Sequence, residues 1–237
     1  LKGIYSSLTR LVSLELKGGI VDSWRPGPSV TLPALQTLRM TRLDGNQVHY
    51  IYDDIDAPLL NFLSLEACPI ENLDRLRRWR LGPTKFPSLR TFLITEDPED
   101  PINLPLRHFM RAFPHLHTAK FKRQRRTQFR QVLELLLKVN AQGPYWPGLR
   151  HLASDFPRFD RRNETYELLT RALTHRINIG HPIETLAVSK KVIAAVLLSA
   201  PAWTKLVEVV EYETDDDYFY YTDSDEVEDE GDEGSDI

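Results

Sequence analysis

Cysteine and long apolar runs are what this sequence has least of. Cys68 is the one cysteine among 237 residues, so no disulfide can form within the chain, which favours a reducing compartment, the cytoplasm or the nucleus. No run of about 18 apolar residues occurs, so the sequence predicts no membrane-spanning helix. No basic residue next to Cys68 in the sequence would lower its pKa, and we expect a buried structural thiol there.

Motifs that mark common catalytic and metal sites are missing as well. The sequence contains no Gly-rich phosphate loop, no Gly-x-Ser-x-Gly elbow, no His-Glu-x-x-His helix and no pair of cysteines at zinc spacing. His115 and His117 alternate within one predicted strand, but no third ligand stands at a suitable spacing, so we assign no metal site to them. We therefore expect a protein that is not an enzyme and uses no cofactor.

Positive charge is absent from one end of the chain. Residues 211–237 contain 14 acidic residues and no Lys or Arg, whereas residues 1–210 hold all 30 basic residues against 20 acidic ones. A block of like charge stays solvated, so we predict a domain over residues 1–212 and an acidic disordered tail over residues 213–237. Thr214 and Thr222 each have an acidic residue three positions on, and they are candidate sites for an acidophilic kinase.

A repeated phrase, Pro-x-Leu-x-x-apolar-x-apolar, is the most informative feature that is present. Five copies begin at Pro33, Pro58, Pro87, Pro114 and Pro147, and two looser copies begin at Thr9 and Pro182. Successive copies start 24 to 35 residues apart, a period typical of a leucine-rich-repeat solenoid. In each copy, alternation puts two apolar residues on one face of a short strand and the residue between them on the other face.

Stacking such copies predicts an α/β fold, an irregular leucine-rich-repeat solenoid with a short parallel sheet of seven strands and covering helices. Apolar spacing predicts helices over residues 73–79, 106–113, 127–140, 165–173 and 191–198. Thr127 is the predicted N-cap of the third of these helices. We expect Leu38, Leu63, Phe92 and Leu152 to share one core. Because the chain opens directly in a repeat without a capping unit, we also expect it to be a piece of a longer protein.

The outward residues of the predicted strands form the candidate binding site. The residues predicted to contact a partner are Glu15, Lys17, Arg39, Thr41, Ser64, Glu66, Leu93, Lys120 and Lys122. Leu93 is apolar at an outward position and is the candidate anchor. The two lysines begin a basic run that continues to Arg130, and a second basic cluster covers residues 75–80. Both clusters suit an anionic partner or the chain's own tail, although solvated surface charge is the simpler reading.

The phrases around three of the prolines resemble a known family. Leu32-Pro33-Ala34-Leu35, Ala57-Pro58-Leu59-Leu60 and Phe113-Pro114-His115-Leu116 look like the repeats of fungal F-box proteins, particularly those of mushroom-forming fungi. The resemblance covers roughly residues 8 to 190. It implies that the repeats present a protein substrate to a cullin-RING ubiquitin ligase, whose adaptor binds an F-box. No F-box lies before Leu8, so adaptor binding is implied only for a longer parent chain.

We therefore expect a protein-protein interaction module, the substrate-recognition repeats of an F-box protein, with a protein substrate on the sheet surface. A stand-alone leucine-rich-repeat scaffold or regulator outside ubiquitination is the alternative, and a hydrolase or transferase with a deep polar pocket is a distant third. Nucleic acid is a weak candidate partner because aromatic residues do not interleave with the arginines as a base-stacking surface requires.

Overall fold

A computed structural model supplies the structure of the chain. It describes residues 8–19, 29–68, 85–95, 106–122, 126–141, 143–155, 164–190, 192–193 and 203–212. The predicted helix over residues 73–79, most of the one over 191–198, the basic cluster over 75–80 and the acidic segment 213–237 lie outside the described residues.

An eight-stranded parallel sheet dominates the α/β fold. Its strands, in their order across the sheet, are β1 (Ser13–Lys17), β3 (Thr37–Thr41), β5 (Phe62–Glu66), β6 (Thr91–Thr95), β7 (Thr118–Lys122), β10 (His151–Ser154), β11 (Thr185–Val188) and β12 (Glu208–Glu211). This order is also their order along the chain, and each strand pairs in parallel with the next strand of the sheet. The seven strands that the repeated phrase predicts are all present, and β12 adds an eighth that has no proline phrase.

A tight turn precedes five of these strands and explains the recurring proline. In each turn the N–H of the phrase's leucine donates to the carbonyl three residues earlier: Leu35 to Leu32, Leu60 to Ala57, Leu89 to Phe86, Leu116 to Phe113 and Leu149 to Trp146. The proline is the second residue of each turn, where its fixed φ is favourable and its missing N–H costs nothing. The proline therefore shapes the turn before the strand rather than the strand itself.

The residue just before each strand joins neighbouring units. The carbonyl of Gln36 accepts hydrogen bonds from the N–H groups of Asn61 and Phe62, both at 2.9 Å, and the carbonyl of Asn61 accepts from Arg90 and Thr91 in the same way. The pattern continues through the carbonyls of Arg90, His117 and Arg150. Because the same pair of bonds joins each strand from β3 to β11 to the strand before it, these strands stay in phase across the sheet.

One continuous core lies on the inward face of the sheet. Leu38, Leu63, Phe92 and Leu152 are all buried in a single cluster of apolar side chains, as predicted. Ser154 occupies an inward position and is also buried, so the sequence places a hydroxyl where the pattern calls for an apolar group.

The described residues form four α-helices. They are α1 (Gly45–Asp54), α2 (Leu106–Ala112), α3 (Arg126–Leu136) and α4 (Glu164–Asn178). Phe109 of α2 contacts the inward residue Phe92 with ring centroids 4.1 Å apart, and Phe129 of α3 contacts the inward residue Phe121 at 6.2 Å. These contacts place α2 and α3 on the core side and leave the other face of the sheet free of them.

Some predicted elements differ from the structure. Helix α3 begins at Arg126, so Thr127 lies inside the helix. The prediction that Thr127 is its N-cap was therefore wrong. Helix α1 was not predicted at all. Short paired strands also accompany the main sheet: β2 (Val30–Thr31) pairs in parallel with β4 (Ile55–Asp56), and β8 (Val139–Asn140) pairs antiparallel with β9 (Gly143–Pro144). Their two-residue length makes them invisible to a search for alternation.

Candidate functional site

The outer face of the sheet, opposite the core, carries the residues between the buried positions of each strand. Its middle row follows the strand register from Glu15 through Arg39, Ser64 and Leu93 to Lys120. In a parallel sheet neighbouring strands are about 4.8 Å apart, so five successive side chains form a row roughly 19 Å long.

A second row runs beside the first at the carboxyl ends of the same strands. Lys17, Thr41, Glu66, Thr95 and Lys122 follow one another in register across β1, β3, β5, β6 and β7. All nine residues predicted as partner contacts therefore lie in two adjacent rows of the outer face. Thr95 completes the second row and was not among them. That these residues bind a partner stays a prediction.

The side chains of these rows differ in how much of them a partner can reach. Ser64 is buried, because its short side chain lies between the longer side chains of Arg39 and Leu93 in the same row. It is therefore a weaker contact candidate than its position in the sequence indicated. The Arg39 guanidinium lies 5.4 Å from the centre of the Phe62 ring, which holds the arginine against the sheet. Leu93 is partly exposed, as an apolar anchor requires.

Charge on the β1 side of the face is largely self-compensated. Lys17 Nζ lies 3.2 Å from Glu15 Oε1, and both side chains are well exposed. An exposed pair of this kind contributes little to stability because water screens it and both side chains lose freedom. The opposite signs leave this part of the face without a strong field of its own.

A hollow of about 410 Å³ opens in the outer face over β7, β10, β11 and β12. Ala153 and Ala187 occupy the middle row at the floor of the hollow. Their methyl groups leave open the space that the longer side chain of Lys120 fills at the same row position on β7. The residues that line the hollow are Thr118, Lys120, His151, Leu152, Ala153, Thr185, Ala187, Glu211 and Tyr212. Sequence reasoning found Lys120 but missed the hollow, although an alanine between two inward positions in two successive copies was the available signal.

The hollow has a basic side and an acidic corner. Lys120 and Lys122 lie on β7, and neither lysine forms an ion pair with a carboxylate of the described residues. Lys122 Nζ lies 5.8 Å from the centre of the Tyr212 ring, across the hollow's edge. Among the described residues of the lining, Glu211 contributes the one carboxylate. The two lysines therefore present positive charge without a described ion-pair partner, although Asp155 follows Ser154 at the strand position beside Lys122.

Further basic groups line the amino ends of β6, β7 and β10. Arg90 and Arg150 occupy the positions just before β6 and β10, on either side of His117 before β7. Partial desolvation lowers the pKa of His117, and the positive charges of Arg90, Arg150 and His151 lower it further. Arg150 is partly compensated, because its Nε lies 3.2 Å from Glu184 Oε1.

A smaller recess of about 340 Å³ lies at the same amino ends, on the β3 side. Its lining consists of Gln36, Leu59, Asn61, Ser88 and Arg90. Leu59 is half-exposed in the turn that carries Pro58, so it gives this recess an apolar wall within a polar rim.

Cysteine and histidine offer no metal site in the part of the chain that the structure describes, where no cluster of three or more His, Cys, Asp or Glu residues could hold an ion. Cys68 is buried, as predicted, and its Sγ donates to the carbonyls of Glu66 at 3.3 Å and Met40 at 3.5 Å. Burial raises the pKa of this thiol to about 11.

No helix among the described residues is long and apolar enough to cross a membrane.

Comparisons with protein-family models, with curated proteins and with solved structures gave no match. The resemblance to F-box proteins therefore stays a prediction from the repeated phrases. The geometry of the outer face is the basis on which a function can be argued.

Proposed function

We propose that this chain is a stack of leucine-rich repeats that binds a protein partner on the outer face of its sheet and has no catalytic activity of its own. The observation that carries the proposal is the order of the strands. Each of the eight strands lies beside the next of them along the chain, and five of them follow the same proline turn. Such nearest-neighbour stacking is how repeat proteins build a continuous core and an extended binding surface.

The registered rows of the outer face support a protein as the partner. Because neighbouring strands are in register, the outer face carries side chains of different kinds at regular intervals. It combines charged residues with the partly exposed Leu93 and with Arg39, whose guanidinium lies over the Phe62 ring. Protein interfaces derive most of their affinity from a few apolar or arginine anchors surrounded by polar groups. We expect Leu93 to be such an anchor, with Lys120 and Lys122 steering an anionic part of the partner towards the hollow.

The F-box resemblance specifies the kind of partner. The phrase Phe113-Pro114 follows directly on helix α2, which matches the helix followed by Phe-Pro-x-Leu in the family's repeats. In a parent chain with an F-box before Leu1, the outer face would hold the substrate of a cullin-RING ubiquitin ligase, in the cytoplasm or the nucleus. The stand-alone scaffold or regulator would use the same face without the ligase.

Affinity purification of the full-length parent from its own cells, with mass spectrometry of the recovered proteins, tests this assignment. Recovery of a cullin and its adaptor together with a third protein that depends on the outer face supports the ligase subunit. Recovery of the third protein without cullin or adaptor supports the scaffold instead.

Two substitutions test the outer face with that third protein. Leu93→Ala removes the anchor, and we expect binding to weaken about 30-fold, which corresponds to roughly 2 kcal/mol at an interface hot spot. Val139→Ala trims an exposed apolar residue outside the eight-stranded sheet and serves as the control. Equal affinity of the two variants would contradict the proposed site.

Charge reversal tests the steering role of the lysines. Lys120→Glu with Lys122→Glu should slow association at low salt and lose its effect at high salt, because salt screens rim charges. The control is Lys138→Glu with Lys190→Glu, which changes net charge equally at two exposed lysines outside the sheet strands. Association rates that fall equally for both pairs would show that only net charge matters and would remove these lysines from the site.

A further inference from the structure

The last residues that the structure describes lie at the hollow. Glu211 and Tyr212, the last two described residues, are both part of the hollow's lining. The backbone N–H of Tyr212 donates to the carbonyl of Val188 at 2.8 Å, which fixes the end of β12 beside β11. The segment 213–237 therefore starts at the rim of the hollow.

Charge complementarity links this segment to the same site. Residues 213–237 contain 13 acidic residues and no Lys or Arg, whereas Lys120 and Lys122 have no carboxylate partner among the described residues. Asp215, Asp216 and Asp217 stand only a few residues beyond Tyr212. Glu211 in the lining and Asp155, at the strand position beside Lys122, oppose such an approach, so the attraction is confined to the two lysine ammonium groups.

The shape of the hollow suits the aromatic residues of the segment. Tyr218, Phe219, Tyr220 and Tyr221 are adjacent in a sequence that is otherwise rich in acidic residues. The hollow's volume of about 410 Å³ lies within the roughly 300–1,000 Å³ of small-ligand pockets, and its floor consists of the methyl groups of Ala153 and Ala187. Ala153 is only 4% exposed and Ala187 is partly exposed, so an aromatic ring on that floor would contact both methyl groups and bury mainly the surface of Ala187, while its acidic neighbours face the lysines.

The segment can reach the site. Five residues lie between Tyr212 and Tyr218, and the six steps from one Cα to the next span up to roughly 20 Å in an extended chain. Three strand spacings separate β12 from β7, about 14 Å in all. The aromatic residues can therefore lie anywhere across the hollow without moving β12.

We propose that residues 213–237 dock on the outer face of their own chain, with the aromatic cluster over Ala153 and Ala187 and the preceding aspartates against Lys120 and Lys122. The docked segment covers the lysines and so competes with any anionic partner for them. This docking is independent of the proposed function, since it requires no external protein.

Methyl NMR of the full chain, with alanine methyl groups labelled with carbon-13, tests the aromatic contact. The variant carries Tyr218→Ser, Phe219→Ser, Tyr220→Ser and Tyr221→Ser, which leave the charge at neutral pH unchanged. An aromatic ring shifts the resonance of a methyl group beneath it, so we expect the Ala153 and Ala187 signals to move between the two proteins. Ala119, on β7 but facing the core, is the internal control and should stay in place. Unchanged Ala153 and Ala187 signals would overturn the proposal.

Zero-length lysine–carboxylate cross-linking of the same full chain tests the charge contact. We expect links from Lys120 or Lys122 to acidic residues of 213–237 near 0.1 M salt, and their loss near 1 M, where the Debye length falls from about 10 Å to about 3 Å. A mixture of nitrogen-14 and nitrogen-15 chains identifies links within one copy. Links only between copies, or none from these lysines at low salt, would overturn docking on the same chain.

Discussion

Arg176 gives the sharpest prediction about what stabilises the fold. It lies on α4, its side chain is completely buried, and its guanidinium donates to the carbonyls of Tyr145 at 3.1 Å and Trp146 at 3.0 Å, with a longer contact of 3.5 Å to Leu149. These carbonyls belong to the proline turn before β10, where Trp146 adopts a φ of 46°, a conformation that favours glycine. One side chain thus fastens a helix to a strained turn.

The magnitude follows from what Arg176→Met would leave behind. The carbonyls of Tyr145 and Trp146 would lose their charged donor inside the protein, and each unsatisfied buried group costs about 1–3 kcal/mol. Removing a buried charge returns part of that cost, since burial already lowers the pKa of Arg176 to about 10. We expect a net loss of about 2–4 kcal/mol in the free energy of unfolding.

Urea unfolding followed by circular dichroism measures this loss. With a slope of about 2 kcal/mol per molar urea, the midpoint of Arg176→Met should fall by about 1–2 M. Arg171→Met changes an exposed arginine on the same helix and should stay within about 0.5 kcal/mol of the unmodified chain. A midpoint for Arg176→Met that matches the Arg171→Met control would refute the reasoning that the turn depends on this guanidinium.

Two further predictions concern Cys68 and helix α1. Burial raises the pKa of the Cys68 thiol to about 11. The contribution of the protonated thiol to the free energy of unfolding is therefore complete below about pH 9 and is lost as the pH rises to 11. Across that range the free energy of unfolding of the unmodified chain should fall more steeply than that of Cys68→Ala. Asp44 caps α1 through Oδ1, which accepts from the N–H of Gln47 at 2.8 Å, while Gln47 Oε1 accepts from the N–H of Asp44 at 2.9 Å. Asp44→Ala should cost about 1 kcal/mol in thermal unfolding, whereas Asp44→Asn, which keeps an acceptor, should cost only a few tenths.

Comparison of individual elements shows where sequence reasoning succeeded. Leu38, Leu63 and Phe92 were predicted to share a core because their spacing repeats, and all three are buried in one cluster. Helix α4 was predicted over residues 165–173 and extends over Glu164–Asn178, since helix ends depend on tertiary contacts. The buried thiol of Cys68 was also predicted correctly.

Other elements were missed for identifiable reasons. The capping pair Asp44 and Gln47 was a readable signal for α1 that was overlooked, as was the helical spacing of the buried residues Val48, Ile51 and Tyr52. Strand β12 lacks the proline phrase because a 3-10 turn at Trp203–Lys205 replaces it. In that turn the N–H of Leu206 donates to the carbonyl of Trp203, as the leucines of the other turns donate to the carbonyl three residues before them.

Spacing and residue type were enough to determine which side chains point inward, which face outward, and that a proline turn precedes each of five strands. These properties depend on alternation and φ restriction, which act over a few residues. The hollow over Ala153 and Ala187, the shielding of Ser64 and the burial of Arg176 came only with the tertiary structure. Each depends on which side chains from different units become neighbours, and a linear sequence does not record the distances between them.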